Sequence, residues 1–253
     1  MINRFSLFYQ ASGDTRQSFR FSRMRKKGNT IRKFKMNGYE IFLRPNEADP
    51  EVFSATFVKG YHRPPFKLGV SPLIIDLGSN IGLTLLDFAM QYPDAKLFGI
   101  EPDADNLTVC RMNCKQIADC TVTHGAVWKQ DGVINYTGKD EQSYQVQAES
   151  FQQGTTPCIT METYLQALGN PVVDFLKMDI EGAEYAILLE SDKLAWLKNI
   201  QMMMIEVHDT TEQDKETGAV KITQLLKEHG FEVYKSSVHW SALIAIARNK
   251  LTA

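Results

Sequence analysis

No apolar run in this 253-residue chain approaches the ~20 residues needed to cross a bilayer. Met1 and Arg4 precede a short apolar patch, but Ser6, Gln10 and Ser12 interrupt it, which is not the pattern of a secretory leader. Cysteine is scarce: Cys110, Cys114, Cys120 and Cys158 form no C-x-x-C pair, and no histidine stands at zinc-ligand spacing from them. This argues against a structural zinc site and a disulfide framework, and points to reduced thiols in a cytoplasmic protein. Cys110 and Cys114 are four residues apart on an expected helix and can touch. Internal repeats, low-complexity tracts and a G-x-G-x-x-G dinucleotide fingerprint are also missing. The net charge of -2 gives no global pull toward nucleic acid.

The charge is unevenly spread. Arg20, Arg23, Arg25, Lys26, Lys27, Arg32, Lys33 and Lys35 lie within residues 20–35 with no acid among them, which leaves -10 for the remainder. This basic arm is either solvated surface or a contact for an acidic surface or acceptor. Residues 1–30 show no clear periodicity. Thr30–Met36 and Tyr39–Leu43, joined by Asn37-Gly38, read as a β-hairpin. Pro50–Gly60 reads as a helix, and Pro64, Pro65 and Pro72 mark a linker. We therefore expect an arm, hairpin and helix in residues 1–70 and a separate main domain in residues 71–253.

From Leu73 onward, strands and helices alternate. Strands are expected at Leu73–Asp76, Lys96–Ile100, Thr121–Trp128, Val172–Met178 and Ile200–Val207, with an antiparallel insertion from Val133–Tyr136 and Tyr144–Ala148. Helices are expected up to Gln91 and over Asp103–Ile117, Met161–Ala167, Ala183–Leu189 and Gly218–His229. Phe231–Lys235 and Ser241–Ala247 follow without a helix between them, which suggests an antiparallel edge pair. The pattern is α/β: a mostly parallel sheet with helices on both faces.

Ligands in such sheets bind at the carboxyl ends of the strands. There the first strand runs into Asp76-Leu77-Gly78-Ser79-Asn80-Ile81-Gly82. Gly78 permits a tight turn and Gly82 close packing of the helix start, while Asn80 stands where a dinucleotide site needs a second glycine. A cofactor without a diphosphate has no such need. Glu101-Pro102 ends the second strand, 25 residues after Asp76. A carboxylate there can accept both ribose hydroxyls of a nucleoside. At the end of the fourth strand, Lys177, Asp179, Glu181, Gly182 and Glu184 form K-x-D-x-E-G-x-E. Alternation places Lys177 on the same side as Asp179. Glu184 suits the start of a helix dipole. The fifth strand ends in Glu206-Val207-His208, and His208 has the side-chain chemistry of a general base. Three carboxylates and a histidine could also bind Mg²⁺, though no metal is assigned.

These segments, taken in order, resemble the FkbM family of methyltransferases over about residues 30 to 247. The resemblance implies a Rossmann-like class I fold, S-adenosyl-L-methionine as cofactor and O-methylation of a sugar, glycolipid or natural-product hydroxyl. Asp76, Gly78, Asn80, Gly82, Glu101, Pro102, Ala126 and Val127 are then the expected cofactor contacts, with Trp128 able to stack or to pack in the core. Asp179 and His208 are the candidate bases, with Glu181 orienting a small-molecule or saccharide acceptor. The competing readings are an NAD-type oxidoreductase, which Asn80 opposes, and a non-catalytic binding protein that retains the fold, which the acidic turn opposes.

Overall fold

The structure is a computed structural model that describes residues 3–24, 30–45, 48–135, 155–208 and 212–251. Two short helices open it, α1 (Arg4–Ser12) and α2 (Thr15–Ser22), where the sequence suggested no regular structure. Local capping defines them. Asn3 accepts from the amides of Phe5 and Ser6, Asp14 accepts from Gln17, and Gly13 ends α1 in the left-handed region at φ 67°. Phe8 and Phe21 are wholly buried and form an aromatic cluster with Phe34 and Phe53.

Strands β1 (Arg32–Met36) and β2 (Tyr39–Leu43) form the expected hairpin around Asn37-Gly38, both at positive φ. The single helix expected over Pro50–Gly60 is two segments: α3 (Ala48–Phe53) and a π-helical stretch, Ser54–Lys59, ending at Gly60. This N-terminal region packs its apolar side onto Ile81, Leu83, Leu86 and Val109. Of the basic arm, residues 25–29 lie outside the described residues. Within the rest, Lys33 pairs with Glu40 and Arg20 lies over the Phe34 ring.

The main sheet is built from β3 (Leu73–Leu77), β4 (Lys96–Glu101), β5 (Cys120–His124), β9 (Phe175–Met178), β10 (Met202–Glu206), β11 (Phe231–Lys235) and β12 (Ala242–Ala247). Its order is β11-β12-β10-β9-β3-β4-β5. β12 runs antiparallel to both neighbours, and the other pairs are parallel. Helices α4 (Leu83–Gln91), α5 (Ala104–Cys114), α6 (Met161–Ala167), α7 (Ala183–Leu188) and α8 (Glu212–Glu228) connect the strands, and α9 (Arg248–Leu251) closes the chain. Buried residues on one sheet face include Ile75, Leu176 and Met203; on the other, Ile74, Phe175 and Met204. Consecutive strand residues therefore point to opposite cores, as in a sheet covered on both sides. Helix α8 begins six residues earlier than the Gly218 expected from sequence.

The third strand differs from the continuous Thr121–Trp128 expected. It breaks at Gly125, where a side chain would meet the Pro157 carbonyl at 3.1 Å. β6 (Ala126–Val127) then joins a small sheet with β7 (Gly132–Asn135) and β8 (Thr155–Ile159). The antiparallel partner of β7 is β8, and Tyr144–Ala148 lies outside the described residues. β8 carries Pro157, which has no amide to donate to a neighbouring strand. No helix among the described residues is long and apolar enough to cross a membrane.

Candidate active site

From β3 the chain proceeds outward through β4 and β5, then returns to β9 on the other side of β3. The carboxyl ends of β3 and β9 therefore meet at the reversal of strand order, where open α/β sheets form a crevice. A cavity of about 540 Å³ opens there, within the ~300–1,000 Å³ typical of ligand sites. Gly78 and Asp179 are in backbone contact at its base. Gly78 has φ +79°, and a β-carbon on it would lie 1.9 Å from the Asp179 carbonyl oxygen. Glycine is required here on both counts.

On the β4 side the cavity is lined by Gly78, Asn80, Glu101, Pro102, Ala126, Val127 and Trp128. Asn80 adopts φ 48°, a conformation asparagine tolerates better than most residues. Glu101 is 4% exposed; its Oε2 accepts from the Asn80 amide at 2.7 Å and its Oε1 from the Asp103 amide at 2.9 Å. Burial raises its pKa to about 7 despite those two bonds. Each oxygen retains a further lone pair for a ligand hydroxyl. The Trp128 Nε1 is buried without a hydrogen-bond partner among the described residues.

Two of the expected cofactor residues do not line the cavity. Asp76 is wholly buried beneath it, with Lys177 Nζ 3.2 Å from its Oδ1. Burial raises its pKa to about 6, against the opposing pull of Lys177. Gly82 starts α4 and abuts α5; a β-carbon there would lie 2.8 Å from Cys110 Sγ, next to Cys114. Its role is the close packing that its position implied. The two thiols are 4.0 Å apart and free.

On the β9–β10 side, Asp179, Glu181 and His208 line the cavity together with Lys177 and Glu206. Lys177 is buried and lies 3.0 Å from Asp179 Oδ2, the same-side pairing that strand alternation suggested. Burial, the largest single effect, pushes the Asp179 pKa up, but the Lys177 ammonium, His208 and the hydrogen bonds from Lys177 and Tyr61 together hold it low. The same two carboxylates raise the Lys177 pKa against its own burial. Glu181 stands at φ 55°, followed by Gly182 at φ 101°; this left-handed pair turns the chain sharply into α7.

Glu184 is wholly buried and caps this turn: its Oε1 accepts from the Ile180 amide at 3.1 Å and its Oε2 from the Gly182 amide at 2.8 Å. It has a second task that the sequence reading did not assign. Its Oε1 lies 3.0 Å from His208 Nδ1. Nε2 of the same ring lies 3.5–3.8 Å from Glu181, Glu206 and Asp179. Burial lowers the pKa of His208, but Glu184 and these carboxylates raise it overall to about 9. At neutral pH, His208 is an imidazolium, a proton donor. Glu206, 15% exposed at the end of β10, has its pKa raised to about 7, first by burial and then by Asp179. It has the open proton site that His208 lacks. Asp179, Glu206 and His208 also present donor atoms within 4.8 Å of one another.

The lining residues without a role assigned from sequence include Tyr61, whose hydroxyl donates to Asp179 Oδ2 at 3.3 Å, and His239, whose Nε2 lies 3.5 Å from Glu206 Oε1. Tyr61 precedes the linker, and His239 belongs to the turn between the final strands. Tyr61 ends the opening segment, Arg44-Pro45 and then Asp49 through Phe57, that resembles the FkbM family's, whereas His239 stands in no patterned motif.

The chain is similar to several known proteins. A protein from Pseudomonas aeruginosa, AMB antimetabolite synthetase AmbE, is 23% identical over 244 residues, covering 80% of this chain. The chain spans only 11% of that relative's length. Among solved structures, M. jannaschii TYW2 in complex with AdoMet matches at 10% identity and TM-score 0.49, covering 87% of this chain and 86% of that one. Precorrin-6y C5,15-methyltransferase from Geobacter metallireducens GS-15 matches at 14% identity and TM-score 0.44, covering 79% and 89%. The strand order and single antiparallel strand are those of a Rossmann-like class I methyltransferase fold. The model of the methyltransferase FkbM domain matches residues 76–233, more than half of the chain, and the chain therefore belongs to the FkbM methyltransferase family.

Proposed function

We propose that the protein is an S-adenosylmethionine-dependent O-methyltransferase acting on a hydroxyl of a sugar, glycolipid or natural product, in the cytoplasm. The observation that carries this reading is the meeting of two half-sites in one cavity: Gly78 and Glu101 from β3 and β4, and Asp179, Glu206 and His208 from β9 and β10. The first half fits a nucleoside. Glu101 offers a buried carboxylate with spare lone pairs to the ribose hydroxyls, and Ala126, Val127 and Trp128 offer an apolar wall to a base. The absence of a second glycine at Asn80 fits a cofactor without a diphosphate.

When bound, S-adenosylmethionine would supply a methyl group already activated by its sulfonium, with S-adenosylhomocysteine as the leaving group. The protein has to align the acceptor hydroxyl and receive its proton. Glu206, with a pKa about 7, is placed to take that proton near neutral pH. Asp179, kept ionised by Lys177, and Glu181 accept hydrogen bonds from the acceptor and orient it. His208 stays protonated and balances the surrounding carboxylates.

Calorimetry with S-adenosylmethionine, S-adenosylhomocysteine and NAD⁺ tests the cofactor. Labelled methyl transfer to arrays of sugars, polyketides and glycolipids tests the reaction. Binding of the first two ligands and transfer to a hydroxyl are expected; tight binding of NAD⁺ in their place would overturn the reading.

A further inference from the structure

The half of the cavity that faces Asp179 and Glu206 is completed by residues from outside the span matched by the family model. Tyr61 lies before residue 76 and His239 after residue 233, and their rings are 5.5 Å apart at an angle of 47°. Each is tied to one strand-end carboxylate. Tyr61 donates to Asp179, while His239 and the Ser241 hydroxyl both approach Glu206 Oε1, at 3.5 and 3.2 Å. The Ser241 hydroxyl also lies 3.1 Å from His239 Nδ1. The direction of β12 explains how the second group arrives. Because β12 runs antiparallel to β10, pairing Ala242 with Glu206, its start lies at the end of the sheet where the parallel strands finish.

The electrostatics of this compartment are one-sided. Five carboxylates line the whole cavity against two lysines among the described residues. Lys177 is already paired with Asp76 and Asp179, the imidazole of His208 is held by Glu184, and the second lysine, Lys59, exerts its charge on His239 in the wall. What the floor offers an incoming molecule is hydrogen-bond acceptors and negative charge. A ligand rich in hydroxyl or ammonium donors satisfies both, whereas a carboxylate or phosphate would be desolvated against like charge.

We propose that Tyr61 and His239 wall an acceptor subsite whose floor is Asp179, Glu181 and Glu206, and that this subsite selects hydroxyl-bearing acceptors without negative charge. The proposal rests on the methyltransferase reading and adds the charge class of the acceptor. It also makes Tyr61 and His239 positioning residues that act through the two carboxylates they hold. Among the described residues of the basic N-terminal arm, Arg20, Arg23, Arg32, Lys33 and Lys35 do not line the cavity.

The test uses the protein loaded with S-adenosylhomocysteine and three simple probes of different charge: triethanolamine, methyl glucoside and glucuronate. Ring-proton signals of His208 and His239 are followed by NMR during titration with each. Triethanolamine, and more weakly methyl glucoside, should shift both histidines, and glucuronate should shift neither. His239→Ala and Tyr61→Phe should each weaken the triethanolamine response at His208 by at least about fivefold. Their affinity for S-adenosylhomocysteine should stay within about threefold. The proposal is overturned if glucuronate binds as well as triethanolamine, if no probe shifts either ring, or if His239→Ala leaves the response at His208 unchanged. Loss of S-adenosylhomocysteine binding by the unmodified protein is a different failure, and sinks the methyltransferase reading instead. His239 is a quarter exposed, so its replacement remains informative should Tyr61→Phe disturb folding.

Discussion

Glu184 and His208 lie 24 residues apart in sequence and 3.0 Å apart in space, with the glutamate wholly buried and the imidazole at the cavity edge. This pairing converts a helix cap into part of the active site. It also links stability to pH. The folded-state pKa of His208, about 9, lies above the ordinary 6.5. Its contribution is therefore fully present below pH ~6.5 and is lost as pH rises through 9, and is on the order of 2–3 kcal/mol. Glu184→Gln should bring the His208 pKa down by more than one unit in an NMR titration and flatten the stability profile between pH 6.5 and 9. An unchanged His208 titration would show that the other carboxylates suffice.

The contact of Gly78 with Asp179 implies a sharp steric limit. Gly78→Ala must displace the Asp179 carbonyl and adopt an unfavourable φ, and should cost about 3 kcal/mol or more, measured by chemical denaturation. Gly169→Ala is the control: it too has positive φ, at +84°, but open space around its β-carbon, and should cost only ~1–2 kcal/mol. Equal losses at the two positions would mean that the Gly78 turn yields easily.

Glu101 should make cofactor binding pH-dependent. Its carboxyl is buried with a pKa about 7, and only the ionised form has all its lone pairs available to two ribose hydroxyls. S-adenosylhomocysteine affinity should therefore rise between pH 6 and 8. Glu101→Ala should weaken it by ~10-fold or more, as for the loss of hydrogen bonds to a charged group worth ~1.5–3 kcal/mol. A flat calorimetric profile in the unmodified protein would assign the buried carboxyl to structure alone.

Much of this was legible in the sequence because local pattern and fold agree. The apolar run Leu73–Leu77 ending in a glycine turn placed the cofactor side, and strand alternation placed Lys177 beside Asp179. What escaped notice depends on contacts made only after folding. Helices α1 and α2 are eight or nine residues long, too short for a clear period, although Asn3, Gly13 and Asp14 carry cap chemistry. The bond from Glu184 to His208 spans two strands. His239 reaches the site only because β12 is antiparallel, and Pro157 conceals β8. Asp76 looked like a ligand contact but lies beneath the floor, because it balances the buried Lys177 charge.

Activity should not depend on a divalent metal. Asp179, Glu206 and His208 are close enough to share an ion, but positive charge already stands beside them. Lys177 Nζ is 3.0 Å from Asp179, and the His208 ring is protonated at neutral pH. A metal would have to displace that proton and repel the lysine. Dialysis against a chelator should leave methyl transfer within about twofold. Abolition by chelator and recovery with Mg²⁺ would make these residues ligands and replace the roles assigned to them.

The proton-acceptor assignment separates Glu206 from His208 by charge state. With a pKa about 7, Glu206 is substantially ionised at neutral pH, whereas His208 at about 9 is occupied. A base is most effective when its pKa lies near the working pH. Glu206→Gln should therefore cut kcat by ~10²–10⁴-fold while cofactor affinity stays within threefold, and the rising limb of the unmodified kcat profile should fall near pH 7. Asp179→Asn removes an orienting acceptor and leaves Lys177 with one carboxylate fewer, so both KM and kcat should suffer. His208→Ala should reduce kcat less than Glu206→Gln does, because it removes a balancing charge and leaves the base in place. The reverse order, with His208→Ala the more damaging and a rising limb near pH 9, would return the base to His208. Glu206 would then be one of the carboxylates that hold its ring charged.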